Sequence, residues 1–110
     1  MKNIYYRVSY HGIGIYEAVK KEIWLKSKEP KKDWETLKKS TAFTWLKTPS
    51  YYSENCFSYF TKYGFNLFMK NTFDTFAKYL NKKDIVIETQ EIEYKNIVYS
   101  DEHQIVVENN

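Results

Sequence analysis

The chain has 110 residues, 43% hydrophobic and 28% charged, which fits one soluble domain and leaves too little chain for two independent cores. Its one cysteine, Cys56, excludes an internal disulfide and any cysteine-based metal site, and within the apolar run "NCFSYF" it reads as a buried, unreactive thiol. The net charge of +3 hides a division: residues 1–83 hold 16 Lys/Arg against 7 Asp/Glu, whereas residues 84–110 hold 1 against 7.

Such a split steers a partner or draws two halves of one fold together. Arg7 is the sole arginine, so the chain is a poor match to a sequence-specific DNA reader, although loose backbone binding by lysines stays open. No apolar stretch resembles a signal peptide or approaches the ~20 residues of a membrane span, so a cytoplasmic location is expected. The 11 Tyr, 7 Phe and 3 Trp allow a core built from a few large rings, with some tyrosines left to line a surface or cleft. A codon bias toward A and T accounts for the same composition.

"NIYYRVSY" alternates Ile4, Tyr6, Val8 and Tyr10 with Tyr5, Arg7 and Ser9, which predicts a strand with one apolar and one mixed face. "HGIG" supplies a turn. In "IYEAVKKEIW" the residues Ile15, Ala18, Val19 and Ile23 fall at helical spacing. "KSKEPKKD" is a charged loop, Pro30 ends any preceding helix, and Asp33 is placed to cap a second short helix, "WETLKK". Residues 41–55, with Pro49, read as a long aromatic connection of the kind in which function often sits. "CFSYFT" is predicted to be a central strand. Phe65, Phe68, Met69, Thr72, Phe73, Phe76, Tyr79 and Leu80 then form the stripe of one long helix. "DIVIETQEIEY" reads as one strand, or two with a bulge, and "NIVY" and "HQIVVE" as the last two. The order predicts a single α+β domain over 1–110: a small, mainly antiparallel sheet, one long amphipathic helix and one or two short helices.

Few groups carry chemistry. A guanidinium in the middle of a strand is costly to bury alone, so Arg7 sits in solvent, pairs with a C-terminal carboxylate, or clamps a phosphate or carboxylate in a cleft. His11, before the glycine turn, reads as a surface residue. His103 is expected to point away from Glu102 and Gln104. Two lone histidines give no zinc motif. By the period of a strand, Glu102 and Gln104 share a face, where acid and amide would hydrogen-bond sugar hydroxyls or Glu102 would stabilise developing positive charge. A polar turn opening an edge strand accounts for them equally.

Three stretches together resemble the ADP-ribosyltransferase family. "YYRV" places Arg7 on the first strand, "SYFT" places Ser58 and Tyr59 before a helix, and "EHQIVV" opens the last strand with Glu102 and Gln104. The opening "YRVSYHGIGIY" and the acidic turn before "QIVV" are also similar to small proteins of low-GC bacteria and their phages. The resemblance implies an ADP-ribosyltransferase-like fold that binds NAD or another nucleotide in a cleft between the first, middle and last strands. Arg7 would hold phosphates, Tyr59 would stack on a ring, Ser58 would bond a ribose, and the catalytic pair Glu102 and Gln104 would bond the 2′-hydroxyl. The implied reaction is loss of nicotinamide with transfer of ADP-ribose to a macromolecule. The chain departs from the pattern at Gln104, where the family carries its catalytic glutamate, because an amide supplies no negative charge. Either Glu102 takes over, glutamine suffices, or the scaffold binds without catalysing.

The rival reading is an interaction protein that occludes a host protein or a protein–nucleic-acid complex. Its anchors would be Trp24, Trp34, Trp45, Tyr51 and Tyr52 in a lysine-rich region, since aromatic residues dominate interface hot spots.

Overall fold

A computed structural model describes residues 2–40, 43–46 and 56–108. The chain is an α+β domain, and among the described residues every strand pair is antiparallel. Strand β1 (Lys2–Tyr10) turns through His11 and Gly12 into the two-residue β2 (Ile13–Gly14). Both turn residues have positive φ, 49° and 83°, as a tight hairpin whose twist matches its strands requires. Helix α1 (Ile15–Lys26) buries Ile15, Ala18, Val19 and Ile23, the residues its spacing singled out.

Helix α2 spans Pro30–Lys38 and so starts earlier than the expected cap at Asp33. Proline suits the first helical position, where its missing N–H would go unbonded and its φ is already helical. The Asp33 carboxylate instead accepts a short hydrogen bond from the Ser27 hydroxyl, pinning the α1–α2 loop.

After β3 (Cys56–Phe60) the expected single helix is two: α3 (Lys62–Asn71) and α4 (Phe73–Ala77). The break lies at Thr72, whose φ of −124° leaves the helical region. Its fully buried hydroxyl accepts a 3.0 Å hydrogen bond from Trp45 Nε1. The apolar stripe survives the break, with Phe68, Phe76 and Leu80 buried. Strand β4 (Ile85–Glu93) pairs with β1 along nine consecutive positions, from Lys2↔Glu93 to Tyr10↔Ile85, without a bulge. The irregularity falls in β5 (Ile97–Ser100) against β6 (Gln104–Glu108), between Ile97 and Tyr99.

The strands run β2-β1-β3-β6-β5, with β4 on the other edge of β1. The core lies between one face of this sheet and the helices. Val8 and Tyr10 from β1 and Phe60 from β3 meet Val19, Ile23, Phe68 and Phe76 there. Tyr16 lies edge-on to Phe43 at 4.8 Å and to Phe76 at 4.9 Å, and Tyr6 stacks on Phe65 at 4.6 Å. Burial holds the Tyr16 phenol well above the usual tyrosine range, and its buried hydroxyl has no hydrogen-bond partner among the described residues. Cys56 is buried, as expected.

Candidate functional site

Directly paired residues of an antiparallel sheet project to the same face, and neighbours along a strand to opposite faces. The pairs Tyr6↔Phe60 and Phe60↔Gln104 put Gln104 on the helix-covered face. Arg7, next to Tyr6, therefore projects to the opposite, outer face. The expected common hollow for Arg7 and Gln104 is thus corrected by the register.

On the outer face Arg7 has company that the sequence reading only half supplied. Its guanidinium lies 5.3 Å from the Phe57 ring centre and 5.8 Å from that of Tyr59, within cation–π range of both. Its Nη1 donates to the Ser58 carbonyl at 3.2 Å. The Tyr59 hydroxyl donates to Gln90 Oε1 at 3.1 Å, across β1. Arg7 and Tyr59 are thus brought together, whereas the Ser58 side chain, between Phe57 and Tyr59, projects to the helix face and gives Arg7 only its carbonyl. Glu88 stands opposite Arg7 in β4, yet the two form no ion pair among the described residues. Phe57 was missed, although the spacing Phe57-Ser58-Tyr59 places both rings on one face once a strand is assumed.

The acidic corner is a built turn. Asp101 accepts from the backbone N–H of His103 at 2.8 Å, from that of Gln104 at 2.9 Å, and from the Tyr99 hydroxyl at 2.8 Å. Partial burial pushes this carboxyl up, but the Tyr99 and backbone hydrogen bonds outweigh it and leave Asp101 below the usual carboxylate range. Because Asp101 captures these N–H groups, β6 begins only at Gln104, and Glu102 lies in the turn with an exposed side chain. The alternation expected to align Glu102 with Gln104 does not reach back that far. Gln104 is buried, at 5% exposure.

His103 also departs from expectation: its Nε2 lies 3.7 Å from the Glu102 carboxylate rather than facing away. Its ring stacks on Tyr63 and meets Trp45 edge-on, each at 5.3 Å. The His103 carbonyl receives the N–H of Thr61, and the Glu102 carbonyl receives the Thr61 hydroxyl, so the turn is riveted to the start of α3. Among the described residues no group of three or more His, Cys, Asp or Glu is placed to hold a metal ion.

The third surface is the exposed side of α1 and α2. From Lys20 to Lys39 the chain carries eight lysines against four acids. Lys26, Lys32 and Lys38 pair with Glu22, Glu29 and Glu35. Lys20, Lys21, Lys28, Lys31 and Lys39 have no ion pair among the described residues. The Lys20 ammonium lies 5.8 Å from the Trp24 ring centre and 5.7 Å from that of Trp34. Trp24 is 47% exposed and Leu25 78%, two consecutive large apolar residues in solvent that project about 100° apart round α1.

Of the expected anchors, Trp24 is therefore available and Trp34 half-buried. Trp45 is half-buried as well, with its N–H bonded to Thr72 and its ring packed on Phe60. Tyr51 and Tyr52 lie outside the described residues. Leu25 was missed because a lone leucine on a charged helix carries no periodic signal. No helix among the described residues is long and apolar enough to cross a membrane. No protein-family model matches the chain, and no curated protein or solved structure matches it.

Proposed function

We propose that this chain is a binding protein whose α1–α2 face docks on an acidic protein surface. The carrying observation is the exposed pair Trp24 and Leu25 near Lys20, Lys21 and Lys28, which have no ion pair among the described residues. Adjacent exposed apolar residues ringed by charge are the make-up of an interface, with the tryptophan as anchor and the lysines setting encounter rate and partner sign. A nucleic acid would use the lysines but would leave Leu25 without a partner.

The test is fluorescence anisotropy with a labelled helical peptide that alternates glutamate clusters with leucine, run beside single-stranded RNA of equal charge. Leu25→Lys and Trp24→Ala are expected to weaken the peptide at least tenfold. RNA binding that falls steeply with salt and ignores Leu25→Lys would replace this reading with lysine-driven nucleic-acid binding.

A second reading rests on Arg7. A guanidinium flanked by Phe57 and Tyr59, with donors beyond the one spent on Ser58, supports binding of a nucleotide, NAD included, on the outer face: a base against a ring and a phosphate on Arg7. The order of elements supports an ADP-ribosyltransferase-like scaffold for it. Transfer of ADP-ribose is not part of the reading, because Gln104 faces the other side of the sheet. Thermal shift with NAD, ADP-ribose and nucleoside phosphates tests it, since a ligand at ~100 times its Kd stabilises the fold by ~2.7 kcal/mol. The shift is expected to vanish in Arg7→Ala and to survive Glu102→Gln. Equal shifts in wild type and Arg7→Ala refute it.

A further inference from the structure

We infer that the free edge of β4 is a strand-addition site for an extended, basic segment of a partner protein. One edge of β4 is paired with β1 over nine positions; among the described residues no strand pairs with the other. In an antiparallel pair, backbone groups point alternately toward and away from the neighbour, so β4 presents a row of N–H and C=O groups along about 30 Å. Residues 86–91 are exposed, and only Ile92 is buried.

The two ends of the sheet are finished differently. The β5 edge is four residues long and carries the register shift at Ile97/Tyr99, both of which discourage an incoming strand. Strand β4, "IVIETQEIE", is long, unbulged, rich in β-formers, and free of proline, glycine and lysine. Its one safeguard is acid: Glu88 projects to the outer face, Glu91 and Glu93 to the helix face. These carboxylates repel an acidic strand and a second copy of β4. Glu93 is already paired with Lys95 at 3.2 Å, whereas Glu88 and Glu91, opposite a lysine or arginine, each become an attractive cross-strand pair. The segment from Asp84 onward holds 7 Asp/Glu against 1 Lys, so the surroundings favour the same sign of partner. Val86 and Ile87, at 44% and 43% exposure, lie one on each face and offer apolar contact at one end. The occupant that fits is therefore an extended segment with basic residues opposite Glu88 and Glu91 and apolar residues opposite Val86 and Ile87.

The probe is the peptide Lys-Val-Lys-Thr-Val-Lys-Val-Val-Thr, which in antiparallel register sets its lysines against Glu93, Glu91 and Glu88. A control replaces alternate valines and threonines by proline, keeping the charge but not the strand. Hydrogen exchange by NMR on the intact chain is expected to slow at least tenfold at alternate amides of residues 85–93, and nowhere else. The proline control and the exposed double variant Glu88→Gln/Glu91→Gln should each weaken binding at least tenfold, the variant with an unchanged melting temperature. Equal binding of the proline control would reduce the site to charge alone and overturn the inference. Slowed exchange at other residues, or sedimentation showing that the chain already dimerises through β4, would do the same.

Discussion

Gly64 offers the sharpest test of how the acidic turn is held, because two principles predict opposite signs for Gly64→Ala. Gly64 sits in the first turn of α3, where helix propensity alone favours alanine by about 1 kcal/mol. A Cβ at this position would lie 2.7 Å from the His103 carbonyl carbon and 2.9 Å from its Cα, and nearer still to the oxygen. These are backbone atoms of a turn tied down by Asp101, so no side chain can swing aside. The helix start would have to withdraw, stretching the bonds from Thr61 N–H at 3.0 Å and from the Thr61 hydroxyl at 2.7 Å. Two such bonds contribute about 1–3 kcal/mol, and overpacking against a fixed neighbour costs about 1–3 kcal/mol more. After the propensity gain the net loss is about 1–5 kcal/mol, or roughly 5–25 °C in melting temperature for a domain of this size. Urea and thermal denaturation followed by tryptophan fluorescence would measure it. Unchanged or increased stability would refute the close docking of α3 on the turn.

Gly12→Ala is a contrasting case: nothing lies within 4 Å of the added Cβ, but the φ of 83° remains, so a loss of about 1–2 kcal/mol in urea denaturation is expected from conformation alone. Asp101→Ala should cost about 1–2 kcal/mol near neutral pH, comparable to removing a helix cap. Because the folded Asp101 titrates below its unfolded value, its stabilisation is full above the unfolded value and is lost as pH falls through the folded one. The gap between wild-type and variant urea midpoints should therefore hold down to the usual carboxylate range and close only below it. Trp45→Ala should cost about 2–4 kcal/mol and Trp24→Ala less than about 1 kcal/mol, a difference in melting temperature that separates a half-buried, hydrogen-bonded ring from a surface one.

How much of this was legible beforehand depends on what fixes each residue. The strand of Tyr6, Val8 and Tyr10 and the face of Ile15, Val19 and Ile23 follow from periodicity, because one buried face is enough to write it into the sequence. The Phe68–Phe76–Leu80 stripe was equally legible, but the break at Thr72 was not. It depends on a hydrogen bond from Trp45, 27 residues away, and threonine at that spacing looks like an ordinary stripe member. The site failed for a related reason. Counting by twos from Gln104 to Glu102 assumes a continuous strand, and the hydrogen bonds of Asp101 end the strand between them. The separation of Arg7 from Gln104 is further out of reach. It is set by which residue of β1 faces Phe60, a register fixed by tertiary packing of Tyr6 on Phe65 and Phe60 on Phe68.

The division of charge acquires a spatial meaning from these surfaces. Lysines concentrate on α1 and α2, while the acids of the C-terminal quarter run along β4 and around the β5–β6 turn. Opposite charge on two surfaces of one molecule invites head-to-tail association, and heterologous contacts of that kind build rings or open filaments. The backbone decides against it. The edge of β4 accepts only a chain segment with unpaired N–H and C=O groups, and the lysines of α1 and α2 sit on helices whose backbone is already bonded within itself. Charge alone would let these two surfaces meet, but hydrogen-bonding geometry makes the meeting unproductive. A partner with an acidic surface and a basic extended tail satisfies both sites at once, and the second contact then forms at the effective concentration set by the tail.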